Sequence, residues 1–350
     1  MAGRSRFREG NMKKIRSAAV AILSLVSGSL LSSSPSAASA FYHNKKLTIV
    51  VGLSAGGGFD ANARLLARHI GNHIPGHPDV IVQNMPGAGS LTSVRYLNEG
   101  APTDGTVIDL FNFGQIGRSV LEPHQTKVDF RKFNWIGSIS TDLSVCYTWH
   151  KLGIKTFSQL KKHGLIHMGT TSAGASSDIN QRILKYVLGV DLKQIAGYPG
   201  SAEVRLAIER GELDGDCGAW SSIPPKWIAD KLIDPEIKFS SISEPGIPKG
   251  IPFVQTLAPN EHARKIIALL TSATEVGRPF IASSAAPISR IKILRRAFDA
   301  TMKDPAFLAD AKREGLPVYP KNAKQALDVV NSIYAAPPNI VKEARKVATE

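Results

Sequence analysis

The chain has 350 residues, a formal net charge of +14 and 43% hydrophobic residues, enough for two domains with substantial cores. Its basic residues beyond position 40 are scattered and form no block interleaved with aromatics, which argues against a nucleic-acid binder. The two cysteines, Cys146 and Cys217, have no metal-ligand spacing.

Residues 1–40 read as an export signal. Arg4, Arg6, Arg8, Lys13, Lys14 and Arg16 form a basic lead, residues 18–31 an apolar run, and Ala38-Ser39-Ala40 a small-residue end, so cleavage is predicted after Ala40. The run is too short to span a membrane comfortably, and no cysteine follows the site to carry a lipid. A compact signal could equally begin at Met12. Removing six basic residues and one acidic residue takes the charge from +14 to +9, which suits either attraction of anionic solutes or a solvated surface without a role. In an oxidising compartment Cys146 and Cys217 are either a disulfide or two buried thiols.

Residues 47–51, Leu-Thr-Ile-Val-Val, have the unbroken β-branched character of a strand covered on both faces. The glycine turn Ser54-Ala55-Gly56-Gly57-Gly58 follows, and then a helix with apolar positions at Ala61, Leu65, Leu66 and Ile70. Asp60 is placed to cap the first free amides, and the helix start can accept an anion. His69, His73 and His77 fall at helical spacing, but Pro75 and Gly76 end the helix before His77, so they read as an exposed polar face. A second strand at 80–84, a turn through Asn84, Pro86, Gly87, Ala88 and Gly89, and a helix through Val94 and Leu97 repeat the pattern. Strands are also predicted at 107–111 and 133–139.

The logic restarts near Ser140. A strand at 145–149 and a short helix capped by Thr156 lead to a strand at 165–169 and the loop Thr170, Thr171, Ser172, Gly174, Ser176, Ser177 and Asp178, ahead of an apolar helical run. A strand-like stretch at 192–198, the turn Tyr198-Pro199-Gly200-Ser201, a helix and the segment 213–220 ending at Trp220 follow. The chain is predicted to return to the first domain near 237–242, and its helical tail beyond Pro287 to pack there. Alternation of this kind implies α/β domains built on mostly parallel sheets flanked by helices.

Several motifs in order resemble the substrate-binding receptors of tripartite tricarboxylate transporters, the Bug receptors. Leu53-Ser54-Ala55-Gly56-Gly57-Gly58-Phe59-Asp60 with Ala63-Arg64 is similar to their P-[AF]-A-G-G-x-x-D…A-R signature, and residues 84–89 to N-R-P-G-A-G. Asp104-Gly105-Thr106, the loop 169–177, the turn 198–201 and Gly211-Glu212-Leu213-Asp214 match further family elements, and the likeness covers essentially the whole chain after residue 40.

This resemblance implies a periplasmic two-domain binding protein of type II-like fold, with its ligand in the interdomain cleft. Residues 41–138 plus 237–350 would form the first domain and 139–236 the second. Loops 54–60 and 170–177 would be pincers for the carboxylate of a small organic solute, with residues 84–89, 198–201 and Trp220 beside them. Hinge closure near 138 and 237 is implied, as are a monomer, no cofactor, no nucleic-acid partner, and delivery to the membrane components of the transporter. Asp178, where the family often has His, would repel a second carboxylate or welcome an amine, and Trp220 is either a ligand platform or core. The alternative to a non-enzyme is an exported hydrolase, since Gly52-Leu53-Ser54-Ala55-Gly56 fits G-x-S-x-G with Ser54 as nucleophile. A nucleotide-dependent enzyme fits less well, because the glycines lack G-x-G-x-x-G spacing.

Overall fold

A computed structural model describes residues 41–240, 242 and 247–350, so the predicted signal segment lies outside the described residues. Two sheets organise the chain. The first has the order β11-β4-β10-β3-β1-β2, with β1 at Lys46–Val51, β2 at Asp79–Asn84, β3 at Val107–Leu110, β4 at Asn134–Ser138, β10 at Pro279–Ala282 and β11 at Lys321–Asn322. The second has the order β7-β6-β8-β5-β9, with β5 at Val145–Trp149, β6 at Ile166–Gly169, β7 at Leu192–Ile195, β8 at Gly215–Asp216 and β9 at Ile233–Lys238.

Both sheets are mixed in the same way. β1 runs parallel to β2 and β3, and β6 runs parallel to β7 and β8. The remaining neighbours pair antiparallel. Each glycine-rich loop therefore leaves the carboxyl end of a strand flanked by two parallel partners, the end at which open α/β sheets present ligand sites.

β1 earns its central place through Leu47, Ile49, Val50 and Val51, all fully buried. Full burial of each such side chain stabilises the fold by about 1.5–3 kcal/mol. The helix Gly58–Ile70 covers one face with Phe59, Ala63, Leu66 and Ile70 and ends at Gly71. Helices Ile288–Thr301, Pro305–Arg313 and Ala323–Tyr334 join the same core through residues such as Leu294, Phe298, Phe307 and Val330.

Two expectations for the later chain need correction. Ile237, Phe239, Val254, Ile266 and Ile267 pack into the core of the second sheet, so the stretch from 237 through the helix Glu261–Thr271 does not return to the first core. The last helix, Pro338–Thr349, also leaves the first core: Ala344 and Ala348 sit with Ile266 and Ile267. Pro337-Pro338 cannot extend the preceding helix, and the turn they impose points the final small-residue stripe at the second lobe.

The crossings between the lobes are consequently 139–144, 272–278 and the turn before Pro338. The first two lie side by side. Ile139 N donates to Arg278 O at 3.2 Å, Asp142 N donates to Thr274 O at 2.7 Å, and Arg278 Nη1 lies 2.7 Å from Asp142 Oδ2 with both side chains almost fully buried.

Candidate ligand cleft between the lobes

The two predicted pincer loops are built on one plan. In the first, Asp60 stands at the third position of its helix, and its Oδ2 accepts from Gly56 N at 2.9 Å and from Arg64 Nε at 3.0 Å. Asn84, at the end of the adjacent parallel strand, donates from Nδ2 to Asp60 Oδ1 and to Leu53 O, both at 3.0 Å. In the second, Asp178 holds the same helical position; it accepts from Gly174 N at 2.8 Å and from Arg182 Nε at 3.0 Å. Gln194, on the adjacent parallel strand β7, donates to Asp178 Oδ1 and Asp178 O, again at 3.0 Å. Gly56 and Gly174, each four residues before its aspartate, have φ of +80° and +77°, a region that side chains with a Cβ rarely adopt.

The shared plan changes the roles expected for Asp60, Asp178 and Asn84. All three face into the base of their loops and hold the loop backbone, so none presents a free group to a ligand. Asp60 does not cap the first helical amides either, because its oxygens are taken by Gly56, Arg64 and Asn84. Burial alone would raise the Asp60 carboxyl, but hydrogen bonds from Arg64, Gly56 and Asn84 with the Arg64 charge outweigh it and hold the group below the usual carboxylate range. At Asp178 burial prevails over Arg182, Gly174 and Gln194, and the carboxyl is raised.

The loops meet across the lobes. Ser54 N donates to Pro199 O at 3.3 Å, Ser54 Oγ to Glu203 at 2.8 Å, and Arg205 Nη2 to Gly56 O at 3.2 Å. Asn112 joins the other side: its Oδ1 accepts from Ser176 N at 3.3 Å and Gly114 N at 2.9 Å, while its Nδ2 donates to Ser176 Oγ at 3.4 Å. Behind these contacts lies a narrow cleft. Leu53, Phe59 and Asn112 line it from the first lobe, and Thr171, Ser176, Ser177, Ser201, Val204, Asp216, Gly218, Ala219 and Ser222 from the second. Asp142 contributes from the crossing segment.

The predicted site residues divide into three groups. Thr171, Ser176 and Ser177 line the cleft itself, and Thr170 supports them through a 2.8 Å hydroxyl contact with Ser177. Ser54, Ala55, Gly56, Gly57, Gly58 and Gly200 lie where the first loop meets the second lobe: a Cβ on Gly57 would stand 2.9 Å from Ser201 Oγ, one on Gly58 would strike Ser222, and one on Gly200 would strike Ser54. Gly89 lies against Ser172 and Gln115 of the neighbouring loops, while Pro86, Gly87 and Ala88 continue that turn outward to the surface.

Tyr198 and Trp220 depart further from expectation. Tyr198 packs at the edge of an apolar cluster, and Trp220 is 6% exposed inside it with Tyr147 and Val204. Trp220 is core here, because it is buried within that cluster and does not line the cleft. Cys146, in β5, forms a disulfide with Cys217, which directly follows β8. His69 and His73 are not an exposed face: their Nε2 atoms meet Asp310 and Asp304, each at 2.9 Å, and clamp the helix Pro305–Arg313. Among the described residues no group of three His, Cys, Asp or Glu side chains is arranged to hold a metal.

Sequence reasoning missed Asn112, Asp142, Asp216 and Arg278 as parts of this region, and it placed Phe59 there only as part of the loop 54–60. Asn112 had a usable signal, since it follows β3 as the pincer loops follow β1 and β6. Asp142 and Arg278 had none, because they meet only in the folded chain. Arg278 also donates to Ser221 Oγ at 3.2 Å and lies 4.4 Å from the Phe59 ring centroid, which ties both lobes to the crossings. Asp216, at the end of β8, is pushed up to about 7 by burial, against the Cys217 amide and the Arg205 charge.

Two α/β lobes joined by crossing segments and closed on a shared cleft define a periplasmic-binding-protein fold. Within that class the structural matches include proteins of the tripartite tricarboxylate type. The periplasmic binding protein BugD superposes with a TM-score of 0.71 at 21% identity, covering 88% of this chain and 99% of that one. MatC from Rhodopseudomonas palustris with bound malate gives 0.67 at 16% identity, covering 87% and 99%. A UPF0065 protein of the TAR-I ttuE-ttuC' intergenic region of Agrobacterium vitis is 29% identical over 182 residues, so the alignment spans about half of each chain. No family model matches the chain.

Proposed function

We propose that the chain is an exported solute receptor that captures a small organic carboxylate between its lobes and delivers it to the membrane components of a tripartite tricarboxylate-type transporter. The observation that carries this reading is the cleft lining: both lobes contribute to it, and its polar surface is dominated by hydroxyl and amide groups. A carboxylate only accepts hydrogen bonds, so it needs donors, and Thr171, Ser176, Ser177, Ser201, Ser222 and Asn112 supply them. Thr171 Oγ1 is buried and makes no hydrogen bond among the described residues, which leaves a donor for a solute. Hydrogen bonds to a charged group are worth about 1.5–3 kcal/mol each, so a few suffice for capture without a dedicated cation. The malate in MatC is a solute of the same class.

In this reading the crossings at 139–144 and 272–278 are the hinge, and the bonds of Ser54 to Pro199 and Glu203 are closure contacts. Ser54 Oγ is bonded to a carboxylate and not to a histidine, which suits closure better than nucleophilic attack. The receptor acts as a monomer in the periplasm after cleavage behind Ala40. Thermal-shift and calorimetric titration of residues 41–350 with succinate, malate and glutarate, against a dinucleotide and a chromogenic ester, tests it. A ligand at 100 times its Kd should add about 2.7 kcal/mol of stability. Stabilisation by the dinucleotide alone, or ester turnover that disappears in Ser54→Ala, would overturn the reading.

A further inference from the structure

We propose that the solute carries an amine as well as a carboxylate, and that Asp216 is the group that reads the amine. The inference rests on the receptor reading and narrows its ligand class. Asp216 is 4% exposed and lines the cleft, yet its bonding is sparse: Oδ1 accepts from Cys217 N at 2.7 Å, and Oδ2 has no hydrogen-bond partner among the described residues. A nearly buried carboxylate with one oxygen unpartnered is costly, so a site that retains one is complete only when a donor or cation arrives.

The surrounding charges do not supply that partner. Asp142, the other acid in the lining, is committed to Arg278 at 2.7 Å and also accepts from Ser144. Arg205, on the helix Ser201–Glu209, is close enough to influence Asp216, but its hydrogen bond goes to Gly56 O. Across the sheet Asp216 pairs with Gly169 on one side and, on the other, with Tyr147, a buried phenol whose pKa is itself raised by burial. From the first lobe the cleft receives Leu53, Phe59 and Asn112, none of them charged.

The cleft therefore holds one acid, Asp216, that no ion pair neutralises, beside the hydroxyl donors of the second pincer loop, which starts directly after Gly169, the residue paired with Asp216. An ammonium on Asp216 and a carboxylate on those hydroxyls would satisfy both at once. An ammonium beside Asp216 would also favour its ionised form, so binding near neutral pH should release protons.

The test uses matched pairs differing only in the amine: alanine and propionate, aspartate and succinate, glutamate and glutarate. Each is titrated calorimetrically into residues 41–350 at pH 8 and pH 6. At pH 8 at least one amino acid should bind ten times more tightly than its deaminated partner. That ratio should shrink at pH 6, and Asp216→Asn should reduce it below threefold. The pH arm needs no variant, so it decides even if Asp216→Asn folds poorly. Equal binding within every pair, or a preference that survives in Asp216→Asn, would overturn the amine inference and leave a carboxylate receptor standing. Absence of binding by all six acids would remove the receptor reading as well.

Discussion

Gly114 is the position at which a single methyl group should report on lobe closure. It opens the helix Gly114–Leu121 directly after the Asn112 bridge, and a Cβ built there would stand 2.5 Å from Gly174 O, 2.9 Å from Ser176 N and 3.1 Å from the Ala175 carbonyl carbon. All three atoms are backbone of the second pincer loop, so no side chain can swing aside. Relief requires the loop to retreat by about 0.9 Å, the gap between 2.5 Å and the 3.4 Å at which ordinary contact begins. The Asn112 bonds to Ser176, already at 3.3 and 3.4 Å, would break. Losing two such bonds costs about 1–3 kcal/mol in the closed form, which corresponds to roughly 5- to 150-fold weaker binding. In the open form alanine meets no obstacle and is the better helix former by up to about 1 kcal/mol. Gly114→Ala should therefore weaken solute binding in calorimetry while ligand-free denaturation by urea shows no loss of stability. Unchanged affinity would refute the close approach of the two loops. A ligand-free destabilisation as large as the affinity loss would show instead that the lobes are closed without solute.

Three other outcomes follow from the same geometry. Reduction of Cys146–Cys217, which spans 71 residues, should lower stability by about 2–4 kcal/mol in urea titrations with and without reductant. Asp60→Asn should destabilise the chain by about 2 kcal/mol at pH 7. Because the folded carboxyl lies below its ordinary value of 3.8, the stability it adds is complete above that value and is lost as pH falls through the folded one. The wild-type advantage in urea titrations should accordingly fade below pH 4. Replacing both Asp304 and Asp310 by Asn should speed amide exchange in the helix Pro305–Arg313, which His73 and His69 hold, with little effect on exchange in β1.

What the sequence made legible was the part written in local pattern. The run 47–51 could be read as a doubly covered strand because every one of its large apolar residues is buried, and both glycine loops could be placed because turns need glycines and hydroxyls at defined offsets. The strand that ends at Ser138 was legible from its apolar run. The second crossing was not, because the stretch from 237 to 271 has no feature that says which of two similar cores its apolar residues will join. The final helix was misplaced for the same reason, since Ala344 and Ala348 would suit either core. Within the site, loops were legible and walls were not: Asp142, Asp216 and Arg278 become neighbours only through long-range packing.

The twin loops also bear on what the resemblance can say about a ligand. Gly56, Asp60, Arg64 and Asn84 in one loop, and Gly174, Asp178, Arg182 and Gln194 in the other, are occupied in shaping backbone, so in the proposed function they position the grip on a carboxylate and say nothing about what is attached to it. Identity must be read by groups that face the cleft without belonging to that framework. Asp178 was the acid expected to choose between a second carboxylate and an amine, but Arg182, Gly174 and Gln194 commit it to the loop. The same choice passes to Asp216, which stands at the end of a strand and not in a pincer. A receptor of this design can change its solute by altering strand-end residues such as Asp216 while both grips remain intact.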